Sequence, residues 1–265
     1  MDPVTSITAK QSRAEVVDSL RKLLPRMENV APVTATFGFG AGELDGYLPQ
    51  NGLAAGALHE VVPATPADAV SAIGFAVALL ARAAARTGPL LLILSRRAMT
   101  QGGRLSGHGL GRLGLDPGRV ILVETHDERQ ALWAMEEALR SRAPAAVGGA
   151  IGKLDLKNSQ RLQFAAGESG RPLVLLRRDA DASAAATRWR VGAAAAQRDA
   201  YGLIAQWRWH VWLERCRNGR VGEWVVEYDH ASHRFSVAAG VADPALPQRT
   251  SASRDAPRIV RFGRS

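Results

Sequence analysis

The chain has 265 residues, 46% hydrophobic and 22% charged, a composition that is ordinary for a globular protein and excludes a wholly disordered chain. The formal net charge of +9 favours acidic or phosphate-bearing partners, but only four of the 34 basic residues are lysine, and a general bias toward arginine accounts for the same excess. The one cysteine, Cys216, excludes an internal disulfide and a cysteine-based zinc site and fits a reducing cytoplasm.

Helix-like and strand-like patterns alternate along the first two thirds of the chain. Residues 11–28 predict an N-terminal helix that packs either on its own core or on a partner, and a glycine-rich connector covers residues 37–56. Strands are then predicted at 58–62, 89–94, 120–124, 145–151 and 172–177, and helices at 68–85, 110–115, 127–141 and 158–168. This alternation predicts the α/β class, with a mainly parallel sheet between helices. The apolar run 69–81 falls short of the roughly 20 residues that span a bilayer, so we expect a buried helix and no membrane partner.

The last third of the chain has a different pattern. Residues 182–198 are rich in alanine and arginine and are predicted to be loop-like in part. Alternation on both sides of Asn218 and Gly219 predicts an antiparallel hairpin, and residues 233–238 predict a final strand. Proline, serine, arginine and aspartate dominate the end of the chain, which predicts a disordered basic tail. We therefore divide the chain into an N-terminal helical segment at 1–34, a core with its C-terminal hairpin at 35–240 and a tail at 241–265.

The connector carries small and apolar residues at a fixed spacing from Glu60. The matching positions are Gly42, Leu44, Asp45, Gly46, Leu48, Gly52, Leu53 and Gly56. The pattern resembles the segment before the phosphate-binding loop in RecA, RadA and KaiC-like ATPases, and it implies a RecA-like three-layer core. In such proteins the first core strand ends in a Gly-x-x-x-x-Gly-Lys-Ser/Thr loop, where backbone N–H groups and lysine hold phosphates and the hydroxyl holds magnesium.

The loop at this position lacks the residues that perform that chemistry. The replacements are Pro63 and Asp68 for the two glycines, Ala69 for the lysine and Val70 for the hydroxyl residue. Pro63 and Pro66 have no N–H donor, and Asp68 places a negative charge where a triphosphate would sit. Ser-Arg-Arg at 95–97 and Gly152 stand where RecA-like ATPases carry the acidic residues that activate water and order magnesium. The sequence therefore predicts a degenerate nucleotide loop with no cofactor, no metal and no enzymatic activity.

Four later segments are more particular than the connector. They are Leu-Asp-Leu at 154–156, Ser-Gln-Arg-Leu-Gln at 159–163, the Arg-Trp-Arg segment at 184–191 and the Asn-Gly hairpin at 213–224. Together they resemble ImuA, a RecA-like family of bacterial damage-inducible mutagenesis cassettes, over roughly residues 35–230. The resemblance implies a non-catalytic accessory protein of SOS-induced translesion synthesis in the cytoplasm. It also implies an ImuB-like Y-family protein and an error-prone polymerase subunit as partners, with RecA, single-stranded DNA and a second copy of the chain as further candidates.

Five of the six tryptophans lie between Trp189 and Trp224 and are interleaved with arginine. Aromatic stacking combined with guanidinium contacts is how proteins hold single-stranded nucleic acid. The candidate DNA- or partner-binding residues are Lys153, Lys157, Arg161, Arg188, Trp189, Arg190, Arg215, Arg217 and Arg220. The alternative is that these tryptophans pack the sheet against a helix. The spacing of Trp207, Trp209 and Trp212 predicts that at least one of the three is exposed.

Two further alternatives remain open from the sequence. The tail residues Ile259, Val260 and Phe262, which lie among arginines, form either a docking peptide or an unselected chain end. The core is either a non-catalytic adaptor, a DNA-dependent ATPase or recombinase with a divergent loop, or a cell-division inhibitor resembling SulA.

Overall fold

The structure is a computed structural model, and it describes residues 35–84, 88–96, 103, 105–178, 181–198 and 200–238. The predicted helix within 1–34, residue Arg97 and the predicted tail with its docking residues Ile259, Val260 and Phe262 all lie outside the described residues.

The described residues form twelve strands and five α-helices. The strands are β1 Thr36–Phe37, β2 Leu53–Ala54, β3 Leu58–Pro63, β4 Leu90–Ser95, β5 Val120–Thr125, β6 Ala146–Ile151, β7 Leu173–Arg177, β8 Thr187–Ala193, β9 Gln197–Arg198, β10 Ile204–Cys216, β11 Gly222–Asp229 and β12 Arg234–Val237. The helices are α1 Gly42–Asp45, α2 Ala69–Ala83, α3 Gly107–Arg112, α4 Glu128–Ser141 and α5 Leu156–Ser169. Short 3₁₀ turns cover Pro49–Asn51, Pro66–Asp68 and Pro117–Arg119.

Nine strands form one continuous sheet in the order β12-β11-β10-β8-β3-β7-β6-β4-β5, and β9 pairs with β10 beside this path. The six strands from β8 to β5 are parallel, whereas β10, β11 and β12 continue the sheet in antiparallel fashion. The predicted mainly parallel α/β core with an antiparallel C-terminal hairpin is confirmed. The prediction that 182–198 is loop-like in part is confirmed for 182–186 and 194–196. The sequence did not indicate that residues 187–193 form β8, with Trp189 and Val191 buried on one face.

Helices cover the sheet on both faces, which gives the three layers. Helix α2 packs Phe75 and Leu79 into a core with Phe39 and Trp189, and the rings of Phe39 and Trp189 lie 5.2 Å apart. Helices α4 and α5 form a second core on the opposite face. Residues Pro66–Ala83 are long and apolar enough to cross a membrane by length and composition alone. In this structure, however, the helix is packed into the first core, as its apolar pattern predicts.

The hairpin of β10 and β11 is attached to the connector. Its last paired residues are Leu213 and Gly222, so the turn is wider than two residues, and Asn218 adopts a φ of 60° within it. The backbone N–H of Arg220 donates to the Tyr47 carbonyl at 2.9 Å, and its guanidinium lies 4.2 Å from the Tyr47 ring centre. The hairpin tip and the connector therefore hold each other in place.

A buried histidine links the connector to the centre of the sheet. His59 is fully buried in β3, with Nε2 2.8 Å from the Ala54 carbonyl and Nδ1 2.9 Å from the Thr187 hydroxyl. Because a carbonyl oxygen only accepts, Nε2 carries the proton and the Thr187 hydroxyl donates to Nδ1. The Trp189 indole N–H in turn donates to the Thr187 oxygen at 3.0 Å. This network is complete only when the imidazole is neutral.

We expect stability to fall with decreasing pH because of this histidine. Burial lowers the pKa of His59 to about 4, whereas the unfolded chain has a pKa of about 6.5. Between these two pH values the unfolded state binds a proton that the folded state excludes. His59 therefore lowers the free energy of unfolding by about 3 kcal/mol as the pH falls from 6.5 to 4, and it has no such effect above pH 6.5. Urea unfolding at pH 7.5, 6 and 5 measures the slope. His59→Asn should flatten it, whereas the exposed His126→Asn should leave it unchanged. Equal slopes in both variants would contradict the assignment.

Candidate functional site

The loop between β3 and α2 occupies the position of a phosphate-binding loop, but its backbone is engaged with the protein itself. Pro63 and Pro66 have no N–H, the Ala64 N–H donates to the Val191 carbonyl at 2.8 Å, and the Thr65 N–H donates to Asp68 Oδ2 at 3.0 Å. None of these four consecutive residues therefore offers a backbone donor to a phosphate. The loop follows the first core strand β3 directly, as in the alignment with the phosphate-binding loop used for the sequence prediction.

Asp68 closes the loop with its side chain. The Thr65 hydroxyl donates to Asp68 Oδ2 at 2.7 Å, and the Ala193 N–H donates to Oδ1 at 2.8 Å. These hydrogen bonds, with Thr65 first, hold the pKa of Asp68 below its usual range, so the carboxylate is charged at neutral pH. Although Asp68 directly precedes α2, its side chain makes no capping bond to that helix. It connects the loop to β8 instead.

The other two nucleotide-site positions lie at the ends of β4 and β6. Ser95 is buried, and its hydroxyl has no hydrogen-bond partner among the residues that the structure describes. Gly152 stands at the end of β6, where its N–H donates to Glu128 Oε1 at 2.8 Å, and the Lys153 N–H donates to the same oxygen at 3.2 Å. Glu128 therefore brings a carboxylate from α4 to this edge of the sheet, which the sequence did not indicate because Glu128 and Gly152 are 24 residues apart in the chain. Within the described ranges, no group of three or more histidine, cysteine or acidic residues is placed to hold a metal ion.

Arg188 lies in a largely buried ionic cluster. Glu60 is fully buried on β3, and its two carboxylate oxygens pair with Arg177 Nη1 and Arg188 Nη2, each at 2.9 Å. The Ser183 hydroxyl donates to Glu60 Oε2 at 2.9 Å, and Arg177 Nη2 donates to the Leu154 carbonyl at 3.0 Å. One buried carboxylate thus holds the end of β7, the start of β8 and the chain that connects them. The contact of Arg188 with DNA or a partner stays a prediction, and in this structure its guanidinium pairs with Glu60 and supports the fold.

Trp189 is also excluded from a surface role in this structure. Its side chain is 0% exposed and forms part of the core with Phe39 and Phe75. The expectation that Trp207, Trp209 or Trp212 is exposed is wrong as well. Trp209 is buried, and the other two are half-buried against neighbouring rings. The packing alternative therefore accounts for this tryptophan cluster.

The remaining arginines of the predicted set make contacts within the C-terminal sheet and the connector. Arg190 pairs with Glu214 across β8 and β10, and Arg220 Nη2 donates to the Gly46 carbonyl at 3.1 Å. Arg217 Nη2 donates to the Ala184 carbonyl at 3.0 Å. Arg215 donates to the Ser183 carbonyl, and burial, followed by the nearby Arg217 and Arg188, lowers its pKa. Several cations are thus gathered around the chain segment that covers Glu60.

Lys153, Lys157 and Arg161 form a separate exposed group before and along α5. Arg161 pairs with Glu136 of α4 at 2.5 Å, and Arg140 pairs with the same carboxylate at 2.7 Å. Two aromatic side chains that were not among the predicted site residues are exposed on the same two helices. The exposed fraction is 65% for Trp133 and 61% for Phe164. Trp133 stands one turn from Glu136, and Phe164 one turn from Arg161. Their exposure could have been predicted from the helical period, because both fall opposite the buried stripe.

Removing the Glu60 charge should destabilise the protein far more than removing a similar surface charge. Glu60→Gln would leave Arg177 buried without a full counter-charge, and breaking such a pair costs about 3–5 kcal/mol. Glu214→Gln breaks the partly exposed pair with Arg190 and should cost at most about 1 kcal/mol. Urea unfolding at pH 7.5 measures both. Similar losses in the two variants would contradict a structural role for the Glu60 cluster.

The comparisons with known proteins agree with the resemblance seen in the sequence. No protein-family model matches the chain. The proteins named ImuA from two strains of Caulobacter vibrioides are each 33% identical to it over 229 residues, which covers 79% of this chain and 91% of the relative. An identity of this size over nearly the whole length of the relatives shows that the chain belongs to the ImuA family.

Proposed function

We propose that this protein is a non-catalytic, RecA-like accessory protein of DNA-damage-induced translesion synthesis. The observation that carries the non-catalytic part is the closed loop between β3 and α2, in which four consecutive residues offer no backbone donor to a phosphate. Membership of the ImuA family supports the pathway. In this role the protein acts in the cytoplasm with an ImuB-like Y-family protein and an error-prone polymerase subunit. RecA, single-stranded DNA and a second copy of the chain are further candidate binding partners.

The charge of the loop adds a second barrier to nucleotide binding. The Asp68 carboxylate stands at the N-terminal end of α2, where a phosphate would otherwise be attracted by the helix dipole. Two like charges about 4 Å apart near a protein surface repel each other by about 4 kcal/mol. Ala69 and Val70 supply neither the ammonium group nor the hydroxyl that would offset this repulsion. A triphosphate therefore meets repulsion and few donors at the same place.

Titration with Mg-ATP tests the non-catalytic part of the proposal. We expect no saturable binding at micromolar concentrations and no hydrolysis, with or without single-stranded DNA. Asp68→Ala should give the same baseline, because Pro63, Pro66 and the Ala64–Val191 hydrogen bond remain. Saturable micromolar binding, or hydrolysis that single-stranded DNA stimulates, would contradict the proposal and favour a divergent ATPase or recombinase.

Deletion of the gene in its host tests the pathway. We expect the frequency of ultraviolet-induced resistance mutations to fall to near the spontaneous level, while spontaneous mutation is unchanged. Wild-type protein and Asp68→Ala should both restore the induced frequency, because the proposed role does not use nucleotide. An unchanged induced frequency would contradict the proposal. If overproduction then caused filamentous growth, the SulA-like alternative would be favoured.

Within this proposal, Lys153 and Lys157 are the predicted contacts to DNA phosphates or to acidic side chains of a partner. Both side chains extend into solvent, unlike Arg188 and Trp189, which are largely or fully buried. The exposed Trp133 and Phe164 stand on α4 and α5 and add apolar area to the outer surface of these helices. An outer surface that combines cations with exposed aromatic rings suits a partner better than it suits solvent alone.

A further inference from the structure

A cavity of about 340 Å³ lies between the end of α2, the connector and the turn that joins β11 to β12. Its apolar wall includes Phe37, Ala78 and Ala81, and its polar groups include the side chains of Arg82, Tyr228 and His233. Arg82 follows the first residue of α2 by 13 positions, which places it about 20 Å along the helix from the closed loop. The cavity is therefore separate from the position of a nucleotide site.

Arg82 brings a positive charge that the described residues do not neutralise. Its Nε donates to the Gly38 carbonyl at 3.0 Å, and no carboxylate in the described part of the chain pairs with its guanidinium. Asp45 lies near Gly38, but its carboxylate accepts from the N–H groups of Phe39 and Gly40, each at 2.8 Å. The two terminal nitrogens of Arg82 are thus available to an anion at the cavity wall.

Tyr228 and His233 supply further polar groups to the same cavity. The Tyr228 hydroxyl lies 3.1 Å from His233 Nδ1, so each group orients the other. Burial raises the pKa of Tyr228 to about 12, which keeps the phenol protonated and able to donate. When His233 Nδ1 carries the proton and donates to the phenol oxygen, the Tyr228 O–H is available to a ligand. In that tautomer the cavity offers a fixed cation, a hydroxyl donor and an imidazole to one ligand.

Glycine keeps the backbone close to these groups. Gly40 has a φ of 80°, and a β-carbon there would lie 3.2 Å from Arg82 Nη2. Gly114 has a φ of 83°, and a β-carbon there would lie 3.2 Å from the Tyr228 hydroxyl. Both backbone conformations are ones that other residues rarely adopt. A side chain at either position would therefore crowd the Arg82 guanidinium or the Tyr228 hydroxyl.

We propose that this cavity binds a small molecule with one carboxylate or phosphate group. Arg82 and Tyr228 would hold the anionic group, His233 would accept or donate beside it, and the apolar remainder would lie against Phe37, Ala78 and Ala81. The volume lies at the low end of ligand cavities, which limits the ligand to a single small ring or a short chain. This inference does not depend on the proposed role in translesion synthesis.

Calorimetric titration of the full-length protein tests the proposal with three probes of one shape, phenyl phosphate, benzoate and benzyl alcohol. We expect saturable one-to-one binding of at least one anion and no binding of the neutral alcohol. The anion that binds more tightly shows whether the ligand carries a phosphate or a carboxylate group. Arg82→Gln should weaken binding at least about tenfold, because it removes a charged donor pair. Tyr228→Phe should weaken it less.

Arg171→Gln is the matched control, because Arg171 also donates to a backbone carbonyl, that of Arg142, at 3.1 Å but does not line the cavity. It should change affinity by less than twofold. If Arg82→Gln does not fold, as judged by circular dichroism, Arg82→Lys keeps the charge and should still weaken binding by losing the second donor. Absence of saturable binding by both anions, equal binding of the alcohol, or equal losses in the Arg82 and Arg171 variants would overturn the proposal.

Discussion

The carboxylate of Glu60 is the constraint on which the centre of this structure depends. It is fully buried on the strand that stands between β7 and β8, and an ion of this kind is tolerated in a protein interior only when paired and hydrogen-bonded. Arg177 and Arg188 satisfy it from the two neighbouring strands, and Ser183 satisfies it from the chain that passes over it. A shift of either strand would leave a buried charge unpaired, so the cluster fixes their relative positions.

The position of β8 in turn determines which hydrogen bonds the loop between β3 and α2 makes. Val191 and Ala193 at the end of β8 face the loop, where one accepts the Ala64 N–H and the other donates to Asp68. A loop that wraps a phosphate must direct its N–H groups inward, toward the ligand. Here the Ala64 N–H and the Asp68 carboxylate are directed toward β8, and the Thr65 N–H donates to Asp68. The shortage of free backbone donors in this loop is therefore a property of its packing against β8 as well as of the residues that replace glycine, lysine and serine.

Periodicity and turn residues predicted most of the fold because those signals are local. The buried parallel strands appeared as apolar runs, and the turn at Asn218 and Gly219 marked the hairpin. Strand β8 was partly missed because its alternation of Thr187, Trp189 and Val191 with arginines was judged by composition alone. The candidate site was harder to predict. Whether an arginine is buried or free depends on a partner more than 100 residues away, as for Arg188 and Glu60, and a single sequence contains no record of that pairing.

The abundance of arginine in this chain therefore does not by itself define a binding surface. Arg177 is buried and paired, Arg190 is paired at the surface, and Arg82 lines a cavity with no acidic partner among the described residues. The three side chains add the same charge to the total of +9, yet they differ in what they can still bind. What distinguishes them is the supply of carboxylates within reach, because a guanidinium whose donors are already used gains little from a new anion. The surfaces that remain available to partners are thus those where the fold has not already supplied a counter-charge. By this criterion the exposed lysines next to and on α5 and the Arg82 cavity are better candidates for binding an anion than the arginines around Glu60.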